Sequence, residues 1–173
     1  MDNVNYEILD EEKATPAKEK KESVNYEFLA KEFLDAQGKK GSFLCYYQGR
    51  RYRYDGRVYT QEDELPTILR QHFMAKGIRQ NNNIIGNTLP IIDTCAYAAA
   101  SRFPELPFWL GDGAPCDPKD LVAFRNGLVN VQEAIRGTAE IIPHDRRFVS
   151  TSCLPHDYNP SAECPKWLEF LDW

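Results

Sequence analysis

The chain has 173 residues, of which 42% are hydrophobic, and a formal net charge of −5. This length and composition are sufficient for one hydrophobic core, and a chain of this size can fold alone. No apolar run approaches the roughly 18 residues of a membrane helix and the N-terminus shows no signal peptide, so we expect neither a membrane-spanning nor a secreted protein.

The first 22 residues differ in composition from the rest of the chain. They hold seven acidic residues and four lysines, include Pro16 and show no apolar periodicity, which predicts a flexible charged tail. We expect residues 23–173 to form a single α+β domain, in which small antiparallel β units flank a helical core. Residues 23–110 are predicted to contain a helix, a basic β unit and a pair of helices, residues 111–164 a β-rich segment, and residues 165–173 the start of a helix.

A basic β unit follows the first predicted helix. This helix begins near Asn25 and ends at Gly38, because the apolar residues recur at helical spacing between them: Phe28, Leu29, Phe33 and Leu34. Three short strands are then predicted over residues 42–48, 51–54 and 57–60, with turn signals at Gln48-Gly49 and Asp55-Gly56.

Two apolar helices are predicted between the basic β unit and Pro104. The first is expected to have Thr60 or Asp63 as its cap and to end at Gly77. Residues 79–87 are polar and are predicted as a loop. The second helix is predicted over residues 90–103, with five residues facing inward: Ile91, Ile92, Cys95, Ala99 and Phe103.

The β-rich segment contains a strong hairpin signal. Residues 108–110 are predicted as a short strand and residues 111–118 as a loop. Asn126-Gly127 lies between two apolar runs, residues 121–124 and 128–131. This pair tolerates the positive φ that both central positions of a type I′ turn require, so we predict such a turn here.

The last residues predict a helix that is cut short. Pro165 suits the first turn of a helix, and Trp167, Leu168 and Leu171 recur at helical spacing. The sequence stops at Trp173 while this apolar face is still unfilled. We therefore expect the chain to be the front part of a longer protein.

Positive charge is concentrated in the basic β unit. Residues 39–57 hold six Lys and Arg residues against one Asp, although the chain as a whole is acidic. Arginine and tyrosine alternate over residues 51–54, so the arginines face one side of the strand and the tyrosines the other. The pattern predicts a phosphate-binding face formed by Lys39, Lys40, Arg50, Arg51, Arg53 and Arg57, with Tyr46 or Tyr47 available for base stacking. The alternative is a solvated arginine face over a tyrosine-lined core.

The sequence lacks the motifs of nucleotide hydrolysis and primer synthesis. No G-x-x-x-x-G-K-[ST] is present to cradle a nucleotide. No pair of neighbouring Asp residues alternates on a strand, as a two-metal polymerase site would require. We therefore expect this chain to have no catalytic residues and no cofactor.

The cysteine and histidine residues point to no metal site. The five cysteines form no C-x-x-C pair, which favours reduced thiols in the cytoplasm over a disulfide framework. The candidate zinc ligands match no usual spacing: His144, Cys153, His156 and Cys164. A Cys153–His144 nucleophile pair is a weaker alternative, because nothing marks that thiol as lying in an electropositive setting. The acidic residues 62–64 fit the positive end of a helix better than a metal cluster.

Three strings in the last third of the chain carry a family resemblance. They are Phe-Arg-Asn-Gly-Leu-Val-Asn-Val from residue 124, Ile-Pro-His-Asp from residue 142, and Leu-Pro-His-Asp-Tyr-Asn-Pro-Ser-Ala-Glu-Cys-Pro-Lys-Trp-Leu-Glu-Phe-Leu from residue 154. Together they resemble the domain that precedes the superfamily-3 helicase in phage, plasmid and poxvirus primase-helicases. Tyr52-Arg-Tyr-Asp-Gly resembles an earlier motif of that family. Two features depart from its pattern, since Asn130 stands where Asp is usual and residues 132–136 are additional.

The resemblance implies a non-catalytic module in DNA replication. Such a domain would couple a ring ATPase to DNA or to a primase region, and its parent would be an ATP-dependent helicase or primase. The implied partners are single-stranded or forked DNA, a downstream ATPase domain of the same polypeptide, and further copies in a hexameric ring. The alternative is a structural, protein-interaction or oligomerisation module without DNA binding; an independent small enzyme built on Cys153 and His144 is the weaker third hypothesis. A phosphate-contacting module would bind DNA with a steep salt dependence, which separates the first two hypotheses.

Overall fold

The computed structural model describes residues 24–163, in which helices precede and flank several short β units. The predicted tail of residues 1–22 and the predicted helix start at residues 165–173 lie outside the described residues. The helices within this range are α1 (Tyr26–Lys39), α2 (Leu65–Ala75), α3 (Asn82–Cys95) and the short α4 (Val131–Ile135). The strands are β1 (Leu44–Tyr47), β2 (Arg50–Tyr54), β3 (Tyr59–Gln61), β4 (Tyr97–Ala98), β5 (Phe108–Trp109), β6 (Leu121–Phe124), β7 (Gly127–Asn130) and β8 (Phe148–Val149).

Helix α1 forms where the sequence predicted it. Asn25 caps the helix, because its side-chain oxygen accepts a hydrogen bond from the N–H of Phe28 at 2.9 Å. The stripe that includes Leu29 and Phe33 is buried against α2 and α3, whereas Phe28 itself is exposed. Phe28 therefore belongs to the predicted apolar stripe but lies outside the core.

Helix α2 was predicted, but its start differs. Thr60 lies in β3, and the carboxylate of Asp63 accepts a hydrogen bond from the side chain of Gln61 instead of capping the helix. Glu64 occupies the cap position without a side-chain bond. Its own N–H is satisfied by the Glu62 carboxylate at 2.7 Å, so the acidic residues 62–64 complete the turn that enters the helix.

Helix α3 begins earlier than predicted and includes its proline. Asn81 caps it by accepting the N–H of Ile84 at 2.8 Å, and the helix continues through Pro90 to Cys95. A proline inside a helix removes one backbone hydrogen bond. The cap and the burial of Ile84 and Ile92 outweigh that loss. The predicted loop over residues 79–87 and helix over residues 90–103 were therefore wrong.

After α3 the chain enters a sheet, where a helix had been expected. β4 pairs in parallel with β1, and the four-stranded sheet has the order β3-β2-β1-β4. The other pairings in this sheet are antiparallel, with Tyr46 opposite Arg51 and Arg53 opposite Thr60. The β1–β2 hairpin turns at Gln48-Gly49, whose φ values of 48° and 77° are both positive, as a type I′ turn requires.

The four-stranded sheet contacts a core on each of its two faces. On one face, Leu44 and Arg51 lie against the helices. On the other face, the second core contains five sheet residues, namely Cys45, Tyr47, Tyr54, Tyr59 and Ala98, packed against Phe108 of β5 and Val149 of β8. The tyrosines of β2 and β3 thus line a core, as the strand alternation predicted.

The predicted hairpin in the β-rich segment is confirmed as β6–β7, but its turn type was wrong. Phe124 pairs with Gly127, so Arg125 and Asn126 are the two turn residues. Neither has a positive φ, and the turn is therefore not type I′. Gly127 is needed for space: a Cβ atom there would lie 2.6 Å from the carbonyl oxygen of Ile142, which accepts the N–H of Leu128 at 2.7 Å.

Residues 154–158 are fastened to the tip of this hairpin. Arg125 makes two hydrogen bonds to the carboxylate of Asp157, at 2.8 and 2.7 Å. The side-chain amide of Asn126 both accepts the N–H of Tyr158 at 2.9 Å and donates to its carbonyl oxygen at 3.1 Å. The first and third of the family-like strings therefore meet in space at this turn.

The two departures from the family pattern lie together in the structure. Asn130 is buried, and its side-chain oxygen accepts the N–H groups of Gln132 and Glu133 at 2.9 and 3.2 Å. It is the cap of α4, the short helix that most of the additional residues form. Asparagine supplies the same acceptor as aspartate at such a cap.

The predicted α+β class is confirmed, although one sheet is mixed rather than antiparallel. None of the helices within residues 24–163 is long and apolar enough to cross a membrane.

Candidate nucleic-acid interface

The six predicted phosphate-contacting residues lie in three separate places. Arg51 and Arg53 face the helices, and Arg50 stands at the β1–β2 turn. Lys39, Lys40 and Arg57 lie at the opposite end of that strand pair, where α1 leads into β1 and β2 leads into β3. The six residues that were predicted to form one phosphate-binding face therefore do not lie together in the structure.

Arg51 is engaged within the fold. Its guanidinium makes two hydrogen bonds to the carboxylate of Asp93 on α3, at 2.6 and 2.7 Å. Both side chains are largely shielded, with 28% and 16% of their surfaces exposed. Hydrogen bonding to Asp93 raises the pKa of Arg51 above its ordinary value. This ion pair joins the sheet to the helical layer.

Arg53 is engaged in a similar way. Its Nε donates to Glu62 at 2.5 Å, and its Nη1 donates to the hydroxyl of Ser42 at 3.3 Å. Glu62 therefore neutralises an arginine and is not free to hold a metal ion. Together, the two ion pairs mean that neither Arg51 nor Arg53 belongs to a solvated face.

The four remaining basic residues are exposed: Lys39, Lys40, Arg50 and Arg57. None of them has a carboxylate within 4 Å among residues 24–163. Their charges therefore remain available to a phosphate. Three of the four flank one end of the sheet and form what we call the basic rim: Lys39, Lys40 and Arg57.

The two candidate stacking tyrosines differ in access. Tyr47 is only 2% exposed, its hydroxyl donates to the carbonyl oxygen of Phe103 at 2.7 Å, and its ring packs on Phe108. It has no free face for a base. Tyr46 is half-buried beside the exposed ring of Tyr97, with 6.3 Å between the ring centroids. Tyr97 was missed because the sequence placed it inside a helix.

A cleft of about 750 Å³ lies beside the basic rim and was not predicted. One wall comes from residues at one end of the sheet, namely Gly41, Phe43, Tyr54 and Gly56, and the other from Trp109, Pro115 and residues 142–147. The guanidinium of Arg146 lies 4.0 Å from the centre of the Phe43 ring, and Arg147 pairs with Asp145 at 2.7 Å. We call this feature the Trp109 cleft. The Arg146-Arg147 pair directly after Pro-His-Asp was the one available sequence signal.

The cysteine and histidine alternatives gain no support from the geometry. His144 lines the Trp109 cleft, whereas Cys153 lines a separate pocket of about 320 Å³ with Ser150 and Ser152. Within residues 24–163, no three His, Cys, Asp or Glu side chains cluster in a way that could hold a metal ion. Cys164 lies outside the described residues. Burial raises the pKa of the Cys45 thiol to about 11, which makes it a poor nucleophile.

Comparison with known proteins identifies a family. A family model described as D5 N terminal like matches residues 27–173. This range covers well over half of the chain and includes the sheet, the basic rim, the Trp109 cleft and the fastened hairpin. No curated protein matches the chain.

Proposed function

We propose a DNA-contacting role in replication for this chain, which belongs to the D5 N terminal like family, the pre-helicase domain of phage and plasmid primase-helicases. In this role the domain couples a ring ATPase on the same polypeptide to single-stranded or forked DNA, or to a primase region. The contact is made to the phosphate backbone, because a replication module must hold DNA of any sequence.

The observation that carries this proposal is the basic rim. Lys39, Lys40 and Arg57 are exposed and unpaired within the described residues, whereas Arg51 and Arg53 of the same sheet are neutralised by carboxylates. In a chain of net charge −5, such a rim is the place where a polyanion meets least repulsion. Arg51 and Arg53 contribute by fixing the sheet that holds the rim.

A single domain of this kind binds DNA weakly. Sequence-independent contacts of a few phosphates typically give dissociation constants of about 1–100 µM at physiological salt. A hexameric ring of the parent would place several rims along one strand. The second and later contacts would then be intramolecular, and the effective concentration would raise the overall affinity.

The test is fluorescence anisotropy of a labelled single-stranded oligonucleotide over a salt series. Lys39→Glu/Lys40→Glu/Arg57→Glu removes the rim, and Lys31→Glu/Arg79→Glu/Arg136→Glu changes the charge equally at three other exposed positions. We expect the rim variant to lose most of the affinity. Each phosphate contact on a single strand contributes about 0.7 to the slope of log K against log salt, so the slope should fall by about 2 in magnitude.

Two outcomes would overturn the proposal. One is a wild-type chain that shows no salt-dependent DNA binding, and the other is equal affinity loss in the rim variant and its charge-matched control. Either result would favour a protein-interaction module. That second candidate rests on Ile135 of α4, whose side chain is 76% exposed, and predicts binding to the ATPase domain that Ile135→Asp weakens and DNA does not affect.

A further inference from the structure

We infer that the Trp109 cleft binds one nucleotide unit of single-stranded DNA, with the base against its aromatic wall and the phosphate at its arginines. This inference rests on the proposed function. It names the site at which one nucleotide binds while the basic rim contacts the same strand. The volume of about 750 Å³ lies within the range of about 300–1,000 Å³ that is usual for small-ligand sites.

The lining of the cleft suits a nucleobase. Phe43, Tyr54 and Trp109 line the cleft from three different parts of the chain, and Phe43 is the one of the three that is not buried. Arg146 lies against Phe43, which holds its planar guanidinium in place at the cleft while the residue stays exposed. Bases of single-stranded nucleic acids stack on aromatic rings and on arginine planes, and every base has such a face.

Polar atoms without a partner, on two residues that line the cleft, also point to a ligand. Trp109 is only 6% exposed, and its indole N–H has no acceptor among residues 24–163. Both ring nitrogens of His144, which also lines the cleft, lack a partner within the same residues. Buried polar groups in native proteins are nearly always hydrogen-bonded, so a buried group without a hydrogen-bond partner in the protein indicates a partner from outside it. The carbonyl and phosphate oxygens of a nucleotide are acceptors of the kind that an indole N–H needs.

The charges around the cleft favour one phosphate. Arg147 is paired with Asp145, and this carboxylate is the one acid in the lining. Arg146 has no carboxylate partner among the described residues. Lys40 and Arg57 of the basic rim directly adjoin Gly41 and Gly56 of the cleft wall in sequence. A free phosphate would use these cations but would leave the aromatic wall unused.

Tryptophan fluorescence tests this inference, because a base bound in the cleft lies close to Trp109 and quenches the emission of its indole. The chain has three tryptophans, so Trp167→Phe/Trp173→Phe leaves Trp109 as the single reporter. Three probes are titrated: a thymidine oligonucleotide, thymidine monophosphate and inorganic phosphate. We expect quenching by the oligonucleotide, weaker quenching by the mononucleotide, and none by phosphate.

Two substitutions locate the site. Arg146→Ala removes the guanidinium but keeps the backbone carbonyl that accepts the Tyr59 hydroxyl at 2.7 Å, so the fold should be preserved. Phe43→Leu removes the ring from the wall, and its urea midpoint is measured to check folding. Each should weaken oligonucleotide binding by about 5- to 150-fold, the usual effect of losing one stacked base. Arg136→Ala, a change of another exposed arginine, should leave affinity unaltered.

The outcomes separate the two proposals. If wild-type DNA affinity persists in folded Arg146→Ala and Phe43→Leu and the Trp109 signal does not change, the cleft inference is wrong while the role of the basic rim stands. Equal quenching by phosphate and mononucleotide would also overturn it, since no base would be involved. If the wild-type chain binds no DNA at all, the proposed function itself fails.

Discussion

Replacing Gly127 with alanine should damage the structure more than replacing a glycine on an open loop. Gly127 has a φ of +152°, and an added Cβ would lie 2.5 Å from Cγ2 of Ile141 and 2.6 Å from the carbonyl oxygen of Ile142. That oxygen accepts the N–H of Leu128 at 2.7 Å, and the N–H of Ile142 is bonded in return at 2.8 Å. The backbone therefore cannot move aside without losing this pairing.

The expected magnitude follows from two costs. A non-glycine residue in an unfavourable backbone region costs about 1–3 kcal/mol. Inserting a carbon atom into a packed site costs about 1–3 kcal/mol more. Gly127→Ala should therefore lower the free energy of unfolding by about 2–6 kcal/mol, which is a large part of the roughly 5–15 kcal/mol of a typical domain.

Urea unfolding followed by circular dichroism measures this loss, with two glycine controls. At a slope of about 2 kcal/mol per molar urea, the midpoint should fall by about 1–3 M. Gly137→Ala has a φ of +73° but nothing within 4 Å of the new Cβ, so it should cost only about 1–2 kcal/mol. Gly86→Ala, inside α3 with open space around it, should gain about 0.5–1 kcal/mol. If Gly127→Ala loses no more than Gly137→Ala, the close approach of the hairpin to Ile142 is refuted.

Three further predictions concern single side chains. Asp93→Asn leaves a half-buried guanidinium without its carboxylate and should lower the free energy of unfolding by about 1–3 kcal/mol in the same urea assay; an unchanged midpoint would show that the pair is not formed. In the native protein at pH 8, exposed Cys95 should react with iodoacetamide much faster than buried Cys45, whose pKa is raised to about 11. Peptide mass spectrometry measures the two rates, and equal rates would contradict this prediction. Hydrogen bonds from Arg147 lower the pKa of Asp145 in the folded protein. The ionised carboxylate of Asp145 therefore stabilises the fold fully above the ordinary aspartate pKa of about 3.9, and this stabilisation is lost as the pH falls through the lowered pKa. Asp145→Asn should consequently lose less stability than wild type between pH 5 and pH 2, as urea midpoints across that range would test.

The sequence predicted the elements whose signals are local. The first helix, the Gln48-Gly49 turn and the β6–β7 hairpin each depend on residues within a short window. The start of α3 was missed because Pro90 was taken as a first-turn residue, whereas the cap at Asn81 sets the boundary. β4 has two residues, too few for any periodic pattern, and its parallel partner is about 50 residues away.

The sequence named basic residues for the candidate site but could not show how they are arranged. The alternation of residues 51–54 gave the correct faces, yet it could not show that Arg51 meets Asp93, 42 residues further along the chain. The Trp109 cleft depends on Arg146 reaching Phe43, which no local pattern specifies. Contacts of this kind arise from how the layers pack.

The fastening of residues 154–158 to the hairpin has a mechanical consequence. The N–H of Leu154 donates to the carbonyl oxygen of Ala123 at 2.8 Å, and the N–H of Arg125 donates to that of His156 at 2.9 Å, as in a parallel strand pair. Tension applied to residues 154–158 from the residues after Tyr158 would load these hydrogen bonds together in shear, so that they would not break one after another. The hairpin would then serve as an anchor that carries a pull into β6 and β7.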